Sequence, residues 1–169
     1  MLTHHRWALP VLAEIDRTQG SRFVTLSRKL DIASDSLRRT LAALEGDGLV
    51  ERNPGHGHPL RPEYLLTERG VVAARVAASV LASLPGDQDI ALKKWSLPVL
   101  ARLQEPQRFS ELRAALPGAT ARALTLALKD LQAAGLVRRR VSHGYPPAVA
   151  YEATRRGARV VPLAQGLPV

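Results

Sequence analysis

The chain has 169 residues, of which 46% are hydrophobic and only 4% are aromatic, so its core must consist mainly of Leu, Val and Ala. Its formal net charge is +9 and its pI is about 11.0, a balance that suits a polyanionic partner, either nucleic acid or an anionic membrane surface. The absence of Cys excludes disulfides, thiolate chemistry and Cys-ligated zinc.

Neither a signal peptide nor a membrane span is expected. Glu14 and Asp16 interrupt the apolar run near the N-terminus. The apolar stretch at residues 71–84 contains Arg75 and is shorter than the roughly 20 residues that cross a bilayer. We therefore expect a cytoplasmic, nucleoid-associated protein without a membrane partner.

The sequence contains an internal repeat. WALPVLA, which starts at Trp7, returns as WSLPVLA at Trp95, an offset of 88 residues, and Gly48-Leu49-Val50 returns at an offset of 87. The same spacing of 86 to 88 residues relates an Arg-Phe pair, three leucines and a Tyr-x-x-Thr-x-x-Gly segment. We interpret the repeat as two copies of one fold, residues 1–86 and 87–169, separated by the breaker-rich LPGDQD.

The first copy begins with a helix predicted at residues 2–15, in which Pro10 removes a hydrogen bond and introduces a kink. A short helix follows at residues 25–30, with Thr25 as its N-cap. Ser34 caps a third helix that runs to about residue 45, where Gly46 and Gly48 end it.

Two short strands, residues 49–52 and 63–66, flank a Gly/Pro/His-rich loop that is typical of a wing. Thr67 caps a last helix at residues 68–84. That helix has an apolar face, which we expect to pack on the other copy or on another subunit: Val72, Val76, Val80 and Leu84.

The second copy repeats this order, with predicted helices at 90–103 (kinked at Pro98), 110–116 (capped by Ser110), 120–133 and 155–163, and strands at 136–140 and 150–153. Its last helix is the shorter of the two. The predicted fold is mainly α with small β-hairpin wings: two tandem winged helix-turn-helix domains that form a pseudo-dimer.

The third helix of each copy has a leucine stripe for the core and a polar, basic outer face. Arg pairs with guanine edges and Ser or Thr bonds phosphate or base, so these faces are typical of helices that enter the major groove. The candidate residues of the two outer faces are Ser34, Ser36, Arg38, Arg39 and Ala42 in the first copy, and Thr120, Arg122, Thr125 and Lys129 in the second.

The wings carry further cations that suit phosphate or minor-groove contacts. They are Arg52, His56, His58 and Arg61 in the first copy, and Arg138, Arg139, Arg140 and His143 in the second. Side chains alternate along a strand, so the three consecutive arginines cannot all contact DNA equally.

Charge is divided unevenly along the chain. Residues 1–87 hold 11 Lys or Arg and 10 Asp or Glu, whereas residues 88–169 hold 13 and 5. We hypothesise that the second copy supplies most of the electrostatic affinity, so that reversing the three wing arginines weakens DNA binding more than reversing Arg38 and Arg39. The first copy then reads DNA weakly or holds a partner.

No catalytic, metal or cofactor site is predicted. His4, His5, His56 and His58 have no carboxylate or Cys arranged locally with them. There is no phosphate-cradling glycine loop and no Ser/His/Asp grouping by spacing. We expect that the chain is not an enzyme.

The chain resembles the HxlR family of bacterial winged-helix regulators, within the MarR/ArsR-like superfamily. The resemblance rests on Trp-x-Leu-Pro-Val-Leu, Arg-Phe, Leu-x3-Leu-x2-Leu, Gly-Leu-Val-x-Arg, the wing proline, Tyr and Thr-x-x-Gly, and it covers nearly the whole chain twice. It departs from the family at His5-Arg6-Trp7 and Lys93-Lys94-Trp95, where Gly-Lys-Trp is usual, at Ala153, where Leu is usual, and in lacking an N-terminal Cys. Family members are single domains that dimerise, so the resemblance implies a DNA-binding regulator whose two heads mimic a dimer.

We therefore expect a bacterial, sequence-specific regulator that binds double-stranded DNA as a monomeric pseudo-dimer or as a homodimer. Its recognition helices would enter successive major grooves roughly 34 Å apart, on an imperfect repeat. A small-molecule effector in apolar space between the copies is a further candidate partner.

Three alternatives remain open. A tandem winged-helix protein could bind proteins, which the near-neutral first copy favours. A small-molecule-binding or resistance protein could use the same scaffold. A DNA glycosylase-like repair enzyme is disfavoured because the Gln-x-Gln pattern expected of one is absent.

Overall fold

Helices form most of the chain, and each half also contains a three-stranded antiparallel sheet. The computed structural model describes residues 2–54, 62–142 and 148–167. They form two units, one mainly of residues 2–82 and one of residues 83–166.

The first unit opens with a 3-10 turn, Leu2–His4. The elements that follow are α1 (Ala8–Thr18), β1 (Ser21–Arg22), α2 (Phe23–Leu30), α3 (Ser34–Gly46), β2 (Val50–Asn53), β3 (Glu63–Leu66) and α4 (Glu68–Ser83). The sheet has the order β1-β3-β2, and Arg52 on β2 lies opposite Tyr64 on β3.

The second unit repeats this order of elements. They are α5 (Gln88–Ala91), α6 (Ser96–Ala101), β4 (Gln107–Arg108), α7 (Phe109–Ala115), α8 (Ala121–Ala133), β5 (Val137–Ser142), β6 (Ala148–Ala153) and α9 (Arg155–Gln165). The sheet has the order β4-β6-β5. Arg139 lies opposite Tyr151, the pair that matches Arg52 and Tyr64 at the offset of 87.

Leucine, alanine and valine dominate the buried positions, as the composition predicts. The leucine stripes of α3 and α8 are at most 2% exposed, which confirms that they are packing positions: Leu37, Leu41, Leu44, Leu124, Leu128 and Leu131. This burial fixes which face of each helix points outward.

The predicted first helices, residues 2–15 and 90–103, began too early. α1 begins at Ala8 and α6 at Ser96, so Pro10 and Pro98 are each the third helical residue. The first turn of a helix has amide groups without intrahelical partners. Each proline therefore removes no intrahelical hydrogen bond, and the kink predicted from it is wrong.

Three predicted N-caps are wrong as well. α2 and α7 begin at Phe23 and Phe109, upstream of Thr25 and Ser110. Strand pairing holds the preceding arginine in an extended conformation, so the helix starts where the strand ends. Ser34 is the first residue of α3, with Ala33 at the cap position and no side-chain cap hydrogen bond.

The two-residue strands β1 and β4 were not predicted. The predicted apolar face of α4 is only partly correct, because Val72 is 63% exposed while Val80 is fully buried. The inward face of α4 consists chiefly of small residues, including Gly70, Ala73, Ala74 and Ala77.

Candidate nucleic-acid interface

The outer face of α3 lies opposite its leucine stripe. Arg38 and Arg39 are exposed there, and Asp35 lies on the same face one turn earlier. Ser34 is exposed at the first turn. Ser36 is half-buried on the flank, so it lies at the edge of this face.

Both arginines of α3 have local partners. Arg38 Nη1 lies 2.9 Å from Asp35 Oδ1, and its guanidinium lies 5.8 Å from the centre of the Phe23 ring on α2. Arg39 Nε donates to the Asp35 carbonyl oxygen at 3.3 Å. An exposed ion pair of this kind is weak, so a phosphate or base edge can replace it at little cost.

The outer face of α8 presents Arg122, Thr125 and Lys129, all exposed. The Thr120 hydroxyl accepts from the Ala123 amide at 3.1 Å and caps the helix. The Thr125 hydroxyl donates to the Ala121 carbonyl at 2.9 Å, so the backbone of the helix itself already engages it.

Sequence reasoning missed one residue of this face. Leu126 is 51% exposed, and it lies between Arg122 and Lys129 along the outer face. The offset of 87 aligns it with Arg39 of α3, which is the pattern that could have identified it. The two helices therefore present different chemistry at one equivalent position.

In the first unit, Arg52 is exposed on β2, opposite Tyr64. Arg22 on β1 pairs with Glu63 at 3.2 Å across the same sheet. The predicted wing residues His56, His58 and Arg61 lie outside the described residues.

In the second unit, the wing arginines divide between the two faces of the sheet, as alternation requires. Arg138 lies opposite Glu152, and its Nε donates to that carboxylate at 2.5 Å. Arg140 lies 3.6 Å from the same carboxylate. Arg139 projects from the opposite face and has no ion pair among the residues that the structure describes. His143 lies outside those residues.

A repeated contact joins the turn after α3 or α8 to the start of the last helix. Thr67 Oγ1 donates to the Gly48 carbonyl at 2.8 Å and accepts from the Gly70 amide at 3.0 Å. Thr154 Oγ1 does the same with the Gly135 carbonyl, at 2.7 Å, and the Gly157 amide, at 3.1 Å. We call this contact the threonine clasp.

An arginine supports the threonine clasp in each unit. Arg69 Nη1 donates to the Asp47 carbonyl at 3.4 Å, and Arg156 Nη1 donates to the equivalent Ala134 carbonyl at 2.8 Å. Arg156 also pairs with Asp87 at 2.6 Å. The clasp fixes the turn that follows the outer-face helix relative to the start of the last helix.

Each unit also has a half-open cavity beside its sheet, at equivalent positions. The cavity of the first unit, about 210 Å³, lies between Ile15 and Leu65, and that of the second, about 220 Å³, lies between Leu103 and Glu152. No group of three metal-ligating side chains occurs within residues 2–54, 62–142 and 148–167. None of the described helices is long and apolar enough to cross a membrane.

Comparison with known proteins gives a family match in both halves. The model of the HxlR-like helix-turn-helix family matches residues 2–82 and again residues 90–168. An uncharacterized HTH-type transcriptional regulator of Methanothermobacter thermautotrophicus is 39% identical over 75 residues, which are 44% of this chain and 57% of that protein. The HTH-type regulator YvaP of Bacillus subtilis is 40% identical over 76 residues, 44% of this chain and 70% of that protein.

Some of these relatives are matched over little more than half of their length, including the Methanothermobacter protein and a Synechocystis regulator covered to 56%. Among solved structures, a MarR-family transcriptional regulator from Porphyromonas gingivalis W83 is 30% identical, with a TM-score of 0.43. That match covers 47% of this chain and 78% of the other.

Proposed function

The chain belongs to the HxlR-like helix-turn-helix family of transcriptional regulators, and we propose that it binds double-stranded DNA sequence-specifically through both of its units. The observation that carries the proposal is the repetition of one arrangement. In each unit a helix with an exposed basic outer face ends in a clasped turn, and this turn leads into a wing strand that bears arginine. Such helices read base edges in the major groove, and wings add contacts to the backbone.

Different residues take different roles in this proposal. Arg39, Arg122 and Lys129 reach base edges or phosphates in the major groove, since they lie at the centre of the outer faces. Arg52 and Arg139 approach the DNA backbone from the wings. The remaining proposed DNA-binding residues are Ser34, Ser36, Arg38, His56, Arg61, Thr120, Thr125, Arg138, Arg140 and His143.

The test is a binding titration of the full chain against the DNA upstream of its own gene and against random duplex, over a salt series. A specific regulator binds the upstream DNA at least about 1,000-fold more tightly, and its salt slope reports the number of phosphates contacted. Equal, steeply salt-dependent binding to both duplexes would leave only a basic protein without sequence readout.

Matched variants locate the contacts. We expect Arg39→Ala and Lys129→Ala to weaken upstream binding about 10-fold or more. Arg75→Ala on α4 and Arg159→Ala on α9 remove the same charge from exposed sites off the proposed interface, and we expect them to change binding less than 2-fold. Equal effects of all four variants would contradict the proposed interface.

One observation favours a second function for the first unit. Asp35 lies on the outer face of α3, where an acid opposes phosphate, and residues 1–87 are nearly neutral in net charge. A unit that holds a protein partner would show this pattern. In that case Arg39→Ala would leave DNA affinity unchanged, while Lys129→Ala would still lower it.

The binding of a small-molecule effector and the oligomeric state of the chain stay predictions. An effector would fit in the cavity of either unit, and the cavity of the second unit is lined by Glu152 and by apolar side chains such as Leu103 and Val161. A ligand that binds the folded chain raises its melting temperature, so a thermal-shift screen tests the effector. Light scattering at several protein concentrations tests whether chains pair.

A further inference from the structure

We propose that the two units read different bases at the equivalent position of their half-sites: Leu126 of α8 contacts the C5-methyl group of a thymine, whereas Arg39 of α3 pairs with a guanine edge. This inference rests on the proposed function and adds the base identities to it. It follows from what α3 and α8 present at aligned positions on their outer faces.

Leu126 differs from the other leucines of α8. Leu124, Leu128 and Leu131 are at most 2% exposed, whereas Leu126 is 51% exposed and lies on the opposite side of the helix. A single exposed leucine is ordinary on a protein surface. The position of this one is informative because it occupies the middle of the face that we propose to enter the groove.

The neighbours of Leu126 limit what it can contact. Arg122 precedes it by one helical turn and Lys129 follows it by about one turn, and both are exposed. A hydrophobic protein partner that covered Leu126 would also have to desolvate these two cations, which is costly. In the major groove, the phosphate backbones on either side would attract the two cations. Leu126, which lies between them, would then face the floor of the groove.

The floor of the major groove offers one apolar group, the methyl of thymine. The side chain of Leu126 has no hydrogen-bonding atom, so it cannot read guanine, adenine or cytosine through a donor or acceptor. The nearby hydroxyl of Thr125 is engaged by the Ala121 carbonyl at 2.9 Å. Methyl contact is therefore the base readout that Leu126 can make.

The equivalent position of α3 has the opposite character. Arg39 carries the bidentate donors that match the O6 and N7 acceptors of guanine. Its neighbours differ too, since Asp35 replaces Arg122 and Ala42 replaces Lys129 at the offset of 87. The half-sites should therefore show guanine under one unit and thymine under the other at the corresponding place.

The experiment starts with selection of a binding site from random duplex by the full chain. Each thymine of the selected site is then replaced singly by deoxyuridine, which lacks only the methyl group. For the wild-type chain we expect one position in one half-site where the replacement weakens binding about 4-fold, the loss for one buried methyl-sized group.

Variants assign that position to its side chain. In Leu126→Ala the deoxyuridine penalty at that position should vanish, while in Arg39→Ala it should persist. Leu126→Arg should shift the selected base there from thymine toward guanine. Leu126 is exposed, so these changes leave the core of the second unit intact.

The outcomes separate the two proposals. Specific binding without any thymine position that depends on Leu126, or a penalty that survives in Leu126→Ala, overturns this inference and leaves the proposed function standing. Failure of the wild-type chain to select or bind any duplex at low salt overturns the proposed function, and this inference falls with it.

Discussion

Ser96 places a hydroxyl group where the other copy has a methyl group. It is fully buried at the first residue of α6, and its Oγ has no hydrogen-bond partner among the residues that the structure describes. Ala8, at the offset of 88, is equally buried at the start of α1. A buried polar group without a partner costs about 1–3 kcal/mol, so Ala8 is the better residue for this environment.

We therefore expect Ser96→Ala to stabilise the second unit by about 1 kcal/mol. Calorimetric melting of the full chain measures the change. The reciprocal variant, Ala8→Ser, is the control and should destabilise the first unit. A lower melting temperature for Ser96→Ala would mean that its hydroxyl has a partner.

Glu14 is a nearly buried carboxylate of α1, and its arginine partner lies one turn later on the same helix. Its side chain is only 9% exposed, and Arg17 donates to both of its oxygens, at 2.7 and 2.9 Å. These hydrogen bonds lower the pKa of Glu14, although burial opposes the shift, and the charges of Arg17 and Lys29 lower it further. The second copy has Arg102 at the equivalent position.

A lowered pKa in the folded state predicts a stability change in acid. The contribution of Glu14 is fully present above the ordinary carboxyl pKa of about 4.3 and is lost as the pH falls through the lower folded-state value. Urea unfolding of wild type and Glu14→Gln between about pH 3 and pH 7 tests this. The variant should lose less stability in acid than wild type, and parallel profiles would contradict the role of Glu14.

At the scale of elements, the threonine clasp brings the start of the last helix of each unit into direct backbone contact with the turn that follows α3 or α8. A Cβ atom on Gly70 would lie 1.8 Å from the Leu49 carbonyl oxygen, and one on Gly157 would lie 1.9 Å from the Leu136 carbonyl oxygen. Neither approach leaves space for a side chain, so the glycine of the Thr-x-x-Gly motif is required by packing.

Gly70→Ala should therefore destabilise the first unit by at least about 3 kcal/mol, because the backbone of the turn or of α4 must move. Gly46→Ala is the matched control within the same unit: a Cβ there meets no atom within 4 Å. Alanine lowers the conformational entropy of the unfolded chain relative to glycine. The control should therefore be neutral or should stabilise the first unit by up to about 1 kcal/mol. Equal melting temperatures for the two variants would show that the backbone of the turn can move away from a Cβ at position 70 at little cost in free energy.

The arginines of the second wing differ in their ion pairing and in the face of the hairpin from which they project. Glu152 has a side chain only 12% exposed and neutralises Arg138, while Arg139 projects from the other face of the hairpin. We expect Arg139→Ala to lower DNA affinity more than Arg138→Ala and to reduce the salt slope by about 1.

Glu152→Gln provides the control for this comparison. Without the carboxylate, Arg138 loses its ion pair but still lies on the face opposite Arg139, so Arg138→Ala in that background should still lower DNA affinity less than Arg139→Ala. If Arg138→Ala is the more harmful change in the wild-type chain, the wing meets DNA with the opposite face.

At the scale of the whole molecule, the charge asymmetry between the two halves predicts unequal shares of DNA affinity. We compare two charge reversals on each outer-face helix: Arg38→Glu with Arg39→Glu on α3, and Arg122→Glu with Lys129→Glu on α8. The second pair should weaken binding at least about 10-fold more, because residues 88–169 carry nearly all of the net positive charge. Equal losses in a salt titration would contradict the asymmetry.

Much of this architecture could be predicted because the apolar residues of the sequence recur at helical spacing. The leucine stripes fixed the inner faces of α3 and α8, and Gly48 and Thr67 marked the turn and the start of α4. The two-residue strands β1 and β4 could not be predicted, since two residues show no alternation. Those strands also set where α2 and α7 begin, which is why Thr25 and Ser110 were wrongly taken as caps.

The candidate interface was less predictable than the fold. Arg and Ser can be recognised as polar on any helix, but whether they lie free or paired depends on contacts such as Arg38 with Asp35 and Arg138 with Glu152. Leu126 was overlooked because a leucine among leucines suggests core. The boundaries of the two domains, residues 1–86 and 87–169, stay a prediction. The proposed DNA contacts stay a prediction as well.

The presence of two copies in one chain has an evolutionary consequence. In a protein built from two identical chains, every codon change alters both halves at once. Here Arg39 and Leu126 occupy matching places but are encoded separately. One half can therefore change while the other is preserved, so that, under the proposed function, single substitutions would alter the base sequence bound by one unit and leave the site of the other unit intact.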